Sequence, residues 1–394
     1  MRFSRVFCIV LDGVGVGEAP DTAQYGDSGS NSMANTARVV GGLRLPNLER
    51  CGLGNVCDIL GVDPTNSPNS HFGVMNPAAA GKDSTSGHWE LMGCALEYQL
   101  PVYPDGFPEE IIEAFRRATG RGVLGNRAAS GTEIIKELGQ QHVDSGDLIV
   151  YTSQDSVFQV AAHEEVVSVD LLYRYCEAAR SILTPPHGVG RVIARPFLGR
   201  PGGFYRTDRR RDFSIEPPRE TTLDRLSASG LVVLTIGKID ELFAGRGIHT
   251  GIHTRDNRDG MGRTLEAARK TLEPTADFVF TNLVDFDTMW GHRNDARAYA
   301  LGLEEFDSFL SEFLPALSDD DLLIITSDHG NDPTTPSTDH SREQVPLLVW
   351  YRGLVRGCPL GLRETFADVG ATVEDNFRIE REANWVGESF LHTI

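Results

Sequence analysis

The sequence predicts an α/β fold: a largely parallel sheet covered by helices. Three observations lead there. Short apolar runs rich in branched residues recur along the 394-residue chain, and they are continuous rather than alternating, the pattern of strands buried on both faces. Segments with helical periodicity lie between several of them. Polar residues of chemical interest follow the runs directly, at the carboxyl ends of strands where ligands gather in such sheets.

The first strand is predicted at VFCIVL (6–11) and ends in Asp12. Helices follow at PEEIIEAFRRAT (108–119) and SGTEIIKEL (130–138), the latter with Ser130 and Glu133 spaced as a capping box. LIVYT (148–152) is a strand ending in Ser153 and Asp155, and LVVLTI (231–236) a strand running into Gly237-Lys238. LEAARKTL (265–272) reads as a helix, and DFVFTNLV (277–284) as a strand leading to Asp285, Asp287 and His292. A long helix, ALGLEEFDSFLSEFL (300–314), precedes the strand DLLIIT (321–326), which opens onto Ser327, Asp328 and His329. VPLLVW (345–350) is the last strand. These strand ends are expected to meet on one edge of one sheet.

Length and composition narrow the function. A chain of 394 residues is expected to form two domains. With 40% hydrophobic and 24% charged residues it is globular, not disordered. Its 56 acidic residues against 37 Lys and Arg argue against nucleic acid and anionic membranes as partners. Six dispersed cysteines (Cys8, Cys51, Cys57, Cys94, Cys176, Cys358) show no zinc-finger spacing and fit a reduced, cytoplasmic protein. The apolar run Val6–Leu11 is too short for a signal sequence or a membrane span.

TSDHGNDPTTPSTDH (326–340) crowds carboxylates and imidazoles into one turn-rich loop of an already acidic chain. Such a loop is costly to fold unless a cation fills it. Asp12, Asp287, His292, Asp328, His329 and His340 supply oxygen and nitrogen ligands suited to Mn²⁺, Zn²⁺ or Mg²⁺, enough for two ions. Two cations about 4 Å apart can clamp a transferring phosphoryl group. One Asp after a strand reads as a cap or turn residue; three strands ending alike, with histidines behind them, read as metal ligands. Asp285, Asp332 and Asp339 are expected to support the loop.

GKDSTSGHWE (81–90) places Ser84, Thr85 and Ser86 between Asp83 and Gly87. A divalent ion can activate a hydroxyl nucleophile by direct coordination; the same string also fits a helix N-cap with Gly87 in a turn. Residues 187–211 hold seven arginines, Arg191, Arg195, Arg200, Arg206 and Arg209 to Arg211, against one acid, Asp208. Guanidinium forks match phosphate oxygens, although the Arg209–Arg211 triplet reads as solvated surface. Gly13-Val14-Gly15-Val16-Gly17 is not a dinucleotide fingerprint, and TIGKID lacks the spacing of a phosphate-binding P-loop.

LDGVGVGEAPDTAQYGD, GKDSTSGHWE, SGTEII, YTSQDSVFQVAAHEE, VGRVIARPF, NLVDFDTMWGHR, TSDHGNDPTTPSTDHSRE, VPLLVW and TFADVGATV occur in order along nearly the whole chain. Together they resemble the bacterial phosphopentomutases of the alkaline phosphatase superfamily. The resemblance implies an alkaline-phosphatase-like core from residues 1–100 and 220–394, with a central mostly parallel sheet flanked by helices. It implies a smaller inserted α/β cap over 101–219. It also implies two Mn²⁺ ions, with Zn²⁺ or Mg²⁺ as substitutes. Asp12, Asp328 and His329 would hold one beside the nucleophile, and Asp287, His292 and His340 the other. Ser153, Asp155, Arg191, Arg206 and Lys238 fall on substrate contacts. The family's phosphorylated threonine, next after a Lys-Asp pair, is here Ser84, which would also meet the metal; a one-residue shift of the turn would offer Thr85 instead. The implied reaction interconverts ribose or 2-deoxyribose 1-phosphate and the 5-phosphate, through a phosphorylated enzyme and a 1,5-bisphosphate, primed by a sugar bisphosphate. Its partners would be small pentose phosphates. The rival reading is a metal-dependent phosphatase or phosphodiesterase on the same core.

Overall fold

The computed structural model describes residues 1–153, 156–382 and 384–394. The chain divides into two compact units, one formed by Met1–Tyr98 with Pro217–Ile394, the other by Gln99–Glu216. In chain order the strands are β1 (Arg5–Leu11), β2 (His71–Met75), β3 (Val123–Ala128), β4 (Leu148–Thr152), β5 (Val157–His163), β6 (Arg191–Leu198) and β7 (Tyr205–Arg206). There follow β8 (Arg211–Ser214), β9 (Val233–Ile236), β10 (Thr250–Ile252), β11 (Phe278–Leu283), β12 (Asp321–Thr326), β13 (Val345–Tyr351) and β14 (Pro359–Arg363).

Among the described residues the larger unit carries an eight-stranded sheet in the order β10-β9-β11-β1-β12-β13-β2-β14. The five strands from β10 to β12 run parallel. Every residue of β1, β11 and β12 is buried, as strands covered on both faces must be. Their register sets the site. Leu11 pairs with Leu283 and Val10 with Thr326, so the chain leaves all three strands at nearly the same height. The helix Ala296–Ala316 buries Tyr299, Leu303, Phe306, Leu310 and Phe313, a stripe of period three to four. Phe313 meets Phe7 of β1 edge-on, with ring centroids 5.8 Å apart.

Several expectations change. VPLLVW is a strand, but β13 lies antiparallel to both β12 and β2; continuous apolarity reports burial on two faces, not strand direction. LIVYT is β4 of the second sheet, ordered β3-β4-β5-β6-β7 with β8 on β6, so Ser153 does not leave the sheet that carries Asp12. Asp155 lies outside the described residues. The Ser130–Glu133 capping box does not form: the Ser130 hydroxyl pairs with Thr132 Oγ1 at 3.0 Å, and Glu133 pairs with Lys136 at 2.8 Å. The helix expected at 265–272 runs instead from Asn257 to Ala268, because the Asp256 side chain caps it by accepting from the Asp259 amide. Among the described residues, no helix is long and apolar enough to cross a membrane.

Candidate metal centre

Three carboxylates issue from three adjacent strands. Asp12 follows β1, Asp287 follows β11 and Asp328 follows β12. Beyond β11 the chain tightens into a π-helical turn, Phe286–Trp290, then a 3₁₀ turn, Gly291–Arg293. Such turns recur at functional sites. This one brings His292 Nε2 to 3.4 Å from Asp287 Oδ1.

Two groups of ligands result. Asp12, Asp328 and His329 place ligand atoms within 4.8 Å of one another, and so do Asp287, His329 and His340. His329 Nε2 lies 3.3 Å from Asp12 Oδ1 and 3.3 Å from Asp328 Oδ2. His340 Nε2 lies 3.1 Å from Asp287 Oδ1, and the His340 ring centroid is 4.7 Å from that of His292 and 4.3 Å from that of His329. His329 Nδ1 donates to the Gly330 carbonyl at 3.0 Å, and His292 Nδ1 to the Thr338 carbonyl at 2.6 Å. A carbonyl only accepts, so each bond commits Nδ1 as a donor and turns Nε2 toward the carboxylates, where a cation could replace its proton.

The electrostatics are those of a cation site. Burial alone would raise the Asp287 carboxyl, yet His340 and His292 hold it well below the ordinary carboxylate range. Burial likewise works against the charge on Asp328, but His329 and His88 keep its carboxyl low. Burial would strip the proton from His329; Asp328, Asp12 and Asp287 instead raise its affinity for it. Asp328 Oδ2 faces His88 Nδ1 at 3.0 Å and His329 Nε2 at 3.3 Å, and His340 Nε2 faces Asp287 Oδ1 at 3.1 Å, but these buried ion-pair contacts lack hydrogen-bond geometry. Unsatisfied buried atoms of this kind are rare and need an explanation. Divalent cations fit: they would take up both atoms and the excess negative charge, and the mixed oxygen and nitrogen donors suit them.

The loop at residues 81–90 meets the first group. Asp83 caps the helix Ser84–Leu91, accepting from the Ser86 amide at 3.1 Å and the Ser86 hydroxyl at 2.7 Å. The helix begins one residue earlier than a Ser84 cap would require, so Ser84 is its first residue. Ser84 Oγ lies 3.3 Å from Asp12 Oδ1 and 3.2 Å from His329 Nε2. Thr85 is buried next to it and, among the described residues, makes no hydrogen bond to the cluster. A side chain at Gly87 would put its Cβ 2.0 Å from the Asp328 carbonyl oxygen, so only glycine lets the helix approach β12 this closely.

The acid-rich loop is held from outside as well. Asp332 accepts from the Asn31 amide at 2.9 Å and from Asn35 at 2.6 Å. Asp339 lies 3.5 Å from Lys82, which also pairs with Asp27 at 3.0 Å. Asp285 accepts from the Asn257 amide at 2.7 Å, away from the ligand groups. Glu343, Asn331, His88 and Asn282 were not singled out in the sequence. Glu343 accepts from Ser341 at 2.6 Å and from the Ser32 hydroxyl at 2.8 Å, and a Cβ at Gly15 would lie 2.1 Å from its Oε2. GVGVG therefore makes room for a buried carboxylate. Asn331 donates to Asp287 Oδ1 at 2.7 Å.

Lys238 is half-buried at the end of β9. Arg191 lies 3.6 Å from Asp212, and Arg206 carries a buried Nε without a hydrogen-bond partner. The Arg209–Arg211 run is more engaged than a solvated surface: Arg209 pairs with Glu164, Arg210 grips Asp212 at 2.7 and 2.6 Å, and Arg211 stacks on Phe213 and Tyr173.

Residues 4–381 match the model of the metalloenzyme superfamily. The chain is 54% identical over 390 residues to a phosphopentomutase of Dictyoglomus thermophilum, covering 99% of this chain and 98% of that protein. It is 51% identical over 391 residues to a phosphopentomutase of Clostridium novyi, covering 99% of each. A solved structure, Leishmania mexicana phosphoglycerate mutase at low cobalt concentration, superposes with a TM-score of 0.50 at 15% identity, covering 98% of this chain and 97% of that one. That likeness concerns the fold alone.

Proposed function

Because this chain belongs to the phosphopentomutase family, and is therefore a metal-dependent isomerase that moves a phosphoryl group within a pentose phosphate, we propose that Ser84 is the residue that carries that group. The observation that supports this most is the position of the Ser84 hydroxyl, 3.3 Å from Asp12 and 3.2 Å from His329.

We propose two Mn²⁺ ions. Asp12, Asp328 and His329, with Ser84, would hold one; Asp287, His292 and His340 would hold the other. The ions would supply Lewis-acid neutralisation of charge on the transferring phosphoryl oxygens. The protein's own contribution is positional. Ser84 is the first residue of its helix, so a phosphoryl group on it would sit at the positive end of the helix dipole. Lys82, tied to Asp27 and Asp339, fixes the approach to that helix from the loop side.

In this reading, a sugar bisphosphate primes Ser84. The 5-hydroxyl of a ribose or 2-deoxyribose 1-phosphate takes the phosphoryl group, giving a 1,5-bisphosphate, and the 1-phosphate then returns to Ser84. Ser153, Asp155, Arg191, Arg206 and Lys238 are proposed as substrate contacts, on the strength of the family resemblance and the cationic character of the last three. A cytoplasmic location is proposed, supported by six free cysteines.

Intact mass and peptide mapping after incubation with a sugar bisphosphate test the reading. One added phosphate on Ser84 is expected, and pentose 1-phosphate should yield 5-phosphate without net release of inorganic phosphate. Phosphate on Thr85 would move the assignment by one residue. Stoichiometric release of inorganic phosphate would point to a hydrolase.

A further inference from the structure

Asn282 is a polar residue inside the apolar strand β11, only 1% exposed. A buried amide is unfavourable unless it is hydrogen-bonded, so its partners identify what it is for. Its Nδ2 donates to Asp12 Oδ2 at 2.8 Å and lies 2.7 Å from His88 Nε2. A carboxylate facing Asn282 can only accept, which fixes the amide with its NH₂ toward Asp12. The second NH₂ proton then points at His88 Nε2, so that nitrogen is the acceptor and the ring carries its proton on Nδ1. His88 Nδ1 lies 2.9 Å from the Ser84 carbonyl and 3.0 Å from Asp328 Oδ2. His88 is wholly buried.

The chain of contacts therefore runs from Asp12 through Asn282 and His88 to the backbone of Ser84 and the edge of Asp328. It joins the two carboxylates of one ligand group to the residue whose hydroxyl faces Asp12 and His329. We infer that Asn282 and His88 are positioning residues for the metal site beside Ser84: they aim Asp12 Oδ1 at the site and hold the first turn of the Ser84 helix against it. The spacing makes this possible, because residues four apart on a helix share a face, so His88 reaches back under Ser84. Among the described residues, no hydrogen bond or ion pair joins Asn282 or His88 to Asp287 or His340. The inference rests on the assignment of Asp12 and Asp328 as ligands, and it predicts a defect confined to one of the two ions.

The test is calorimetric titration of the metal-stripped enzyme with Mn²⁺, in the wild type and in Asn282→Ala and His88→Phe. His88→Phe keeps a ring at the 5.8 Å contact with Phe280 and removes both nitrogens. Two binding events are expected in the wild type. In each variant one should weaken about 10- to 100-fold, the usual effect of losing a hydrogen-bond partner behind a metal ligand, with the other unchanged. The weakened event should persist in an Asp287→Ala background, which removes the other site. The fraction of Ser84 phosphorylated by a sugar bisphosphate should fall in parallel. If the wild type binds only one ion, the ligand assignment itself fails. If it binds two and both variants match it, or lose both events equally, the positioning role is overturned. Should Asn282→Ala fail to fold, His88→Phe alone decides between these outcomes.

Discussion

Gly87 packs so closely on Asp328 that a Cβ there would lie 2.0 Å from the Asp328 carbonyl oxygen. This contact seats the Ser84 helix directly against the end of β12, and from it follows the distance between Ser84 and the ligands. Gly87→Ala should push the helix away. Activity is expected to fall about 100-fold, since displacements near 1 Å cost about that much. Metal affinity should fall less than activity. Steady-state kinetics and Mn²⁺ titration of the variant check both.

Ser84→Ala should abolish phosphorylation and lower kcat by about 10³-fold or more, ~4 kcal/mol of barrier. Thr85→Ala should retain activity within about tenfold, because the Thr85 hydroxyl makes no hydrogen bond to the ligands among the described residues. Parallel kinetics with mass mapping distinguish the two hydroxyls. A Thr85→Ala variant as inactive as Ser84→Ala would overturn the assignment.

Removing the divalent ions should destabilise the fold around Asp287, Asp328 and His340, whose charges and unpaired atoms then lose their partners. Ions at about 100 times their Kd stabilise by ~2.7 kcal/mol each, so chelation should lower Tm by several degrees. Hydrogen exchange in 326–340 should quicken. Differential scanning calorimetry with and without chelator measures the first effect, and exchange mass spectrometry the second. An unchanged Tm would count against bound ions.

Glu343 provides a pH signature. Burial pushes its carboxyl up from 4.5 to about 7. The folded state therefore binds a proton that the unfolded state has released between those values. Its contribution to stability is fully present below about pH 4.5 and lost as pH rises toward 7. Glu343→Gln removes that dependence. The variant should be less stable throughout, because its NH₂ replaces the oxygen that accepts from the Ser32 and Gly17 amides, but the gap to wild type should narrow as pH rises across this window. Denaturant melts at several pH values test the sign; a gap that widens with pH would contradict it.

Much of this was legible in the sequence for a physical reason. Residues 6–11, 277–284 and 321–326 are apolar throughout, and burial on both faces demands that. The carboxylates and imidazoles just beyond them are hard to place without a cation. Strand direction was not legible: VPLLVW looks the same parallel or antiparallel. Sheet membership was not legible either, so LIVYT was expected beside Asp12's strand. His88 and Asn282 left only faint marks, a histidine four residues after Ser84 and an amide inside an apolar strand. Such marks gain meaning only when the fold brings residues 194 apart in sequence together. The Ser130–Glu133 spacing was a sound signal that a nearer hydroxyl, Thr132, displaced.

The central claim is that three strand ends and one loop converge to hold two divalent ions beside Ser84. Anomalous diffraction at the manganese edge, from crystals of the Mn²⁺-loaded enzyme, tests it most directly. Two peaks are expected, one bounded by Asp12, Asp328 and His329 with Ser84 in reach, the other by Asp287, His292 and His340. A single peak, or peaks away from these side chains, would contradict it.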